Sequence, residues 1–84
     1  MTVEQEQTNS QPTPSKVPFG DWLYAARKRN RLTIVQLSDL SGVSRSYISL
    51  IEEGKHRNVS INKVVRLMNA LGHELEEVVH EIQF

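Results

Sequence analysis

Between Thr33 and Lys55 two short amphipathic segments are separated by only four residues, Ser41, Gly42, Val43 and Ser44, and this break constrains the chain most. Glycine enters a left-handed backbone without a Cβ penalty, so Gly42 can end one helix. Ser44 is placed to cap the next by accepting a hydrogen bond from an early N–H. A connection this short holds the two helices at a fixed angle. Thr33, followed three residues later by Gln36, forms a capping-box pattern, so the first helix begins at Thr33. Its apolar side is Leu37 with Leu40 or Ser41, and Ser38 is small where the second helix crosses. In the second helix Ile48 and Ile51 turn inward with Val43, which leaves Arg45, Ser46, Ser49 and Leu50 facing outward.

At these positions the chain resembles the lambda-repressor-like, or Xre-type, helix-turn-helix family. The matching residues are Leu37, Ser38 (usually alanine), Gly42, Val43, Ser44, Ile48, Ser49, Glu52 and Gly54, at the family's spacing. The likeness continues upstream through Phe19, Gly20, Leu23, Arg27 and Leu32, and downstream through Ser60, Ile61, Ala70, Leu71 and Gly72, about two thirds of the chain. It implies an all-α bundle of about five helices whose central helix-turn-helix carries its second helix into the major groove of DNA. The chain departs from the family at Ile34, often a glutamine that touches phosphate, and at Val59, where proline is frequent.

Eighty-four residues without an internal repeat allow one domain with a modest core, which a second subunit would extend. With no cysteine, disulfide scaffolds and thiolate metal sites are excluded. The opening MTVEQEQTNSQPTPS has neither the basic nor the apolar region of a signal peptide, and no later run is long enough to span a bilayer. A cytoplasmic protein of bacterial or phage origin, nucleoid-associated when bound, is expected.

The formal net charge is zero, but it is unevenly distributed. Residues 1–15 carry Glu4 and Glu6, a net of −2. Residues 16–58 carry Lys16, Arg27, Lys28, Arg29, Arg31, Arg45, Lys55 and Arg57 against Asp21, Asp39, Glu52 and Glu53, a net of +4. Residues 59–84 carry Lys63 and Arg66 against Glu74, Glu76, Glu77 and Glu81, a net of −2. The positive charge therefore falls on the helix-turn-helix segment, where phosphate contact requires it.

Residues 1–16, rich in Gln, Thr, Ser and Pro, cannot bury enough apolar area to offset the entropy of ordering, and form a disordered tail ahead of a domain spanning 17–84. The first helix is expected from about Pro18 to Asn30, with Pro18 at its first position, a stripe of Phe19, Leu23 and Ala26, and Trp22 and Tyr24 at the stripe's edge. Cations at its end complement the helix dipole. After the loop from Gly54 to Ser60, a fourth helix runs from Ser60 as N-cap to about Leu71, with Gly72 as its stop and Ile61, Val64, Met68 and Leu71 as its core stripe.

The resemblance also implies roles. Arg27 pairs with Glu52, the glutamate that closes the recognition helix. Arg45, Ser46, Ser49 and Leu50 face base edges, arginine as a bidentate donor to guanine and leucine against a thymine methyl. Thr33, Ser44, Tyr47, Lys55, His56 and Arg57 hold phosphates.

In the last stretch, HELEEVVHEIQF, Leu75, Val78, Val79 and Ile82 fit helical spacing, while Glu76, Val78, His80, Ile82 and Phe84 fit strand alternation. A short helix from about Glu74 is favoured, with Val65, Leu67, Leu75, Val78, Val79, Ile82 and Phe84 forming a homodimer interface. Antitoxins of this family end instead in a strand that pairs across the dimer. His73, Glu77 and His80 share a helical spacing but lack another anchored ligand, so no metal or other cofactor is expected, and no enzyme motif is present. The expected function is that of a regulator, a repressor rather than an activator, binding a palindromic operator as a homodimer. An autoregulating antitoxin with a toxin partner, or a protein-interaction module of the same fold, are the alternatives.

Overall fold

The structure is a computed structural model and describes residues 16–56 and 58–84. Apart from Lys16, the expected N-terminal tail lies outside the described residues, as does Arg57. The order is β1 (Val17–Pro18), α1 (Phe19–Arg29), α2 (Ile34–Ser41), α3 (Arg45–Glu52), α4 (Ile61–Ala70), α5 (Leu75–Val78), a single 3-10 turn (Val79–Glu81) and β2 (Ile82–Gln83). Among the described residues the fold is thus an all-α bundle of five helices. It also carries a two-stranded parallel ladder in which Val17 pairs with Ile82 and Pro18 with Gln83.

The helix boundaries follow local chemistry. Thr33 Oγ1 accepts from Gln36 N at 3.0 Å and Gln36 Oε1 accepts from Thr33 N at 2.8 Å, closing the capping box of α2. Ser44 and Ser60 cap α3 and α4 by accepting from Tyr47 N and Lys63 N. Helices α1, α3 and α4 all end in a left-handed residue whose successor's N–H reaches back five residues: Leu32 to Arg27, Lys55 to Leu50 and His73 to Met68. Gly54 and Gly72 occupy that position after α3 and α4, but after α1 it is held by Arg31 at φ 58°, where a Cβ is costly.

Helix α1 packs on α3, and α2 packs on both α3 and α4. Leu23 and Ala26 of α1, Leu37 of α2, Ile48 and Ile51 of α3, and Val64, Leu67 and Met68 of α4 close the centre, with Val43 of the turn among them. Gly20 lies where α1 meets α3 so tightly that a Cβ would overlap the Ile51 carbonyl.

Several expectations are corrected. Pro18 is the N-cap of α1, not its first helical residue, because its extended backbone (ψ 145°) belongs to β1. Trp22 is core, not edge: it stacks on Phe19 and meets the ring of His73 edge-on at 5.3 Å. In α2 the inward residue beside Leu37 is Ser41, while Leu40 is 61% exposed. Ile61 is not core but 62% exposed, since the first residue of a helix directs its side chain back beyond the end of the packed layer.

The C-terminal stretch combines both of its possible periodicities. A capping box between Glu74 and Glu77 starts α5, but the helix lasts one turn. The β-branched residues Val78 and Val79 are poor helix formers, and the chain then extends so that Ile82 enters the core against β1. The strand pairs within its own chain.

Candidate nucleic-acid interface

The turn between α2 and α3 is fixed by its own serines. Ser38 Oγ donates to Val43 O at 2.6 Å, and Ser41 Oγ accepts from Val43 N at 3.1 Å. Gly42 turns at φ 75° between them, a conformation that a side chain would strain. Burial of Val43, Ile48 and Ile51 then sets the rotation of α3 about its axis, and its opposite side faces solvent.

That outward side carries Arg45, Ser46, Ser49 and Leu50, which line one shallow depression. They share it with Ile34, the first residue of α2, which is half-buried and packs partly on the core. Ser49 Oγ donates to Glu53 Oε2 at 3.1 Å, and Glu53 in turn meets Lys55 Nζ at 3.4 Å. With its hydrogen so directed, Ser49 Oγ keeps its lone pairs for accepting.

Beside this face a second group gathers around Tyr47. The His56 ring lies 4.3 Å from the Tyr47 ring, and Lys63 Nζ sits over the same ring at 5.1 Å. Tyr47 Oη accepts a long hydrogen bond from Ser60 N at 3.5 Å, tying α3 to the start of α4. Thr33, Ser44 and Lys55 are exposed. Lys63 was not singled out from the sequence, although its place one turn after the Ser60 cap was a signal that could have found it.

Arg27 and Glu52 lie behind the face and brace it. Two of the guanidinium nitrogens of Arg27 hold the two carboxylate oxygens of Glu52 at 2.8 and 2.9 Å, and Nη1 donates to Leu32 O at 2.9 Å. The hydrogen bond to Glu52, outweighing the opposing effect of burial, raises the Arg27 pKa further above its ordinary value. Tyr24 faces the same guanidinium at 5.3 Å, which gives it a packing role.

The expected self-association residues divide among three surroundings. Leu67, Val78 and Ile82 are enclosed by their own chain, Leu67 completely, and are withdrawn from any intermolecular face. Val65, Leu75 and Val79 remain together along a groove with Asn69, Glu74 and Glu76. Phe84 lies apart from that groove, its ring 5.4 Å from Phe19 in a separate cleft. His73 is used in packing on Trp22, and no cluster of potential metal ligands occurs among the described residues. No described helix is long and apolar enough to cross a membrane.

A helix-turn-helix family model matches residues 23–78. Over 52 residues the chain is 44% identical to the HTH-type transcriptional regulator SlrR of Bacillus subtilis (strain 168), a match that spans 62% of this chain and 34% of the relative. Over 62 residues it is 36% identical to the immunity repressor protein of Bacillus phage phi105, spanning 74% of this chain and 42% of the relative. The chain thus spans well under half the length of either. Among solved structures, the restriction-modification controller protein C.AhdI from Aeromonas hydrophila is similar with a TM-score of 0.65 and 38% identity, over 71% of this chain and 89% of that one. With the capped helices, the serine-fixed turn and the outward face of α3, these likenesses show that the chain belongs to the Xre-type, lambda-repressor-like helix-turn-helix family of DNA-binding transcriptional regulators.

Proposed function

We propose that this chain is a repressor that binds a short, two-fold symmetric operator as a homodimer and acts by occupying a promoter. The observation that carries this reading is the convergence of Arg45, Ser46, Ser49 and Leu50 on one outward depression of a helix whose rotation the core fixes. Arg45 supplies two donors for guanine O6 and N7, Ser46 complements an amine or a carbonyl edge, Ser49 accepts from an amine edge, and Leu50 is apolar. Thr33, Ser44, Tyr47, Lys55, His56 and Arg57, with Lys63 added, contact phosphates and set the register. The +4 charge of residues 16–58 supports that assignment.

The dimer face in this reading is the groove of Val65, Leu75 and Val79. A second copy covering it places two α3 helices on one side of the duplex, with half-sites about one helical turn, roughly 34–36 Å, apart. The test is the stoichiometry on a selected duplex, read by sedimentation. Two chains per duplex are expected, with affinity collapsing when one half-site is scrambled; one chain binding at full affinity would refute the dimeric reading.

A further inference from the structure

We infer that Ile34 and Leu50 together form a receptor for the C5-methyl group of a pyrimidine in the DNA major groove. The inference rests on the base-reading role proposed for α3 and adds to it a residue from another helix. Ile34 opens α2 and is only half-buried, and its remaining surface borders the depression that Leu50 borders from α3. Leu50 keeps 41% of its surface exposed. Two branched aliphatic side chains from separate helices therefore line one site whose other lining residues, Arg45, Ser46 and Ser49, are all polar.

This mixture selects its occupant. A wholly apolar group would bury the guanidinium of Arg45 and two serines without partners, at a cost no small contact recovers. A major-groove edge suits both halves: it offers hydrogen-bonding atoms throughout and one apolar feature, the C5-methyl group of thymine. Ser49, its hydrogen committed to Glu53, accepts rather than donates, which fits the exocyclic amine of an adenine. A T·A pair presents both groups together. The same methyl group occurs on 5-methylcytosine, so the chemistry recognised is the methyl itself.

The experiment uses the full chain and its selected operator, with each thymine replaced in turn by deoxyuridine, which removes only the methyl. One position per half-site should lose about fourfold in affinity, the factor that corresponds to about 0.8 kcal/mol for one buried carbon. The same replacement should make no difference to Ile34→Ala, or to Leu50→Ala if the first variant does not fold. At that position, 5-methylcytosine in place of cytosine should restore the lost factor. Uridine tolerated at every position of an operator that the chain binds tightly would overturn the receptor and leave base reading intact, as would an undiminished uridine penalty in Ile34→Ala. A folded chain that selects no operator would overturn both.

Discussion

Arg27 grips both carboxylate oxygens of Glu52, at 2.8 and 2.9 Å, and so ties α1 to the last residue of α3. The two side chains are only 9% and 7% exposed, so water cannot replace a lost partner. Glu52→Ala is expected to destabilise the fold by about 3 kcal/mol by leaving a buried cation uncompensated. Replacing both, Arg27→Met with Glu52→Leu, should recover most of that loss, because no charge is then stranded. Thermal unfolding of the three variants and the parent decides, and an unchanged Tm for Glu52→Ala would reject the bracing role. The raised pKa of Arg27 carries a sign: the stability it contributes is complete below its unfolded value and is lost only as pH rises through the higher folded one. This pair's arginine therefore stays charged until strongly alkaline pH.

Gly20 marks a close approach of α1 to α3. Its missing Cβ makes room for the carbonyl of Ile51, a backbone group that cannot swing aside. Gly20→Ala, ordinarily favourable in a helix, should here cost about 3 kcal/mol. On a domain of this size that lowers Tm by more than about 10 °C. A neutral or stabilising result would contradict the described α1–α3 approach.

Core and interface can be separated among the C-terminal aliphatics. Ile82→Ala should destabilise the single chain by about 3 kcal/mol, since it opens a cavity in the packed interior. Val79, 42% exposed, should behave differently: Val79→Asp weakens self-association and leaves the folded single chain intact. Sedimentation and unfolding across a wide range of protein concentration distinguish these outcomes. A Val79→Asp variant that associates like the parent would remove the α4–α5 groove from the proposed dimer.

Arg45 and Lys55 are expected to fail in different ways. Arg45→Ala should lose about 1–3 kcal/mol of operator binding and relax the preference at one base pair. Lys55→Ala should weaken binding to all duplexes alike and reduce the slope of log K against log salt by about one. Titrations on matched and scrambled duplexes at several salt concentrations report both. Equal loss on every sequence for Arg45→Ala would make it a phosphate contact.

Legibility in the sequence tracked the range of the interactions. Thr33 with Gln36, Ser44 and Gly42 act within a few residues, and their caps and turn follow from residue type alone. The outward set of α3 was legible too, because the inward Ile48 and Ile51 leave it no other orientation. What an apolar residue packs against was not. Leu67, Val78 and Ile82 have the same pattern whether their own chain or a second one covers them, and only the folded packing decides, for Ile82 through the pairing of β2 with β1. Trp22 was misplaced because its partners, Phe19 and His73, include one that lies 51 residues away. Ile34 read as a departure from the family, since its neighbourhood with Leu50 exists only once α2 and α3 are folded together.

Whether the outward face of α3 reads DNA sequence is decided by selection from random duplexes by the purified chain at about 0.15 M salt, where nonspecific binding is weak. Sequence reading by α3 should enrich a two-fold symmetric motif with half-sites about one helical turn apart, and that enrichment should be lost with Arg45→Ala. A chain shown to be folded that enriches no sequence would contradict it.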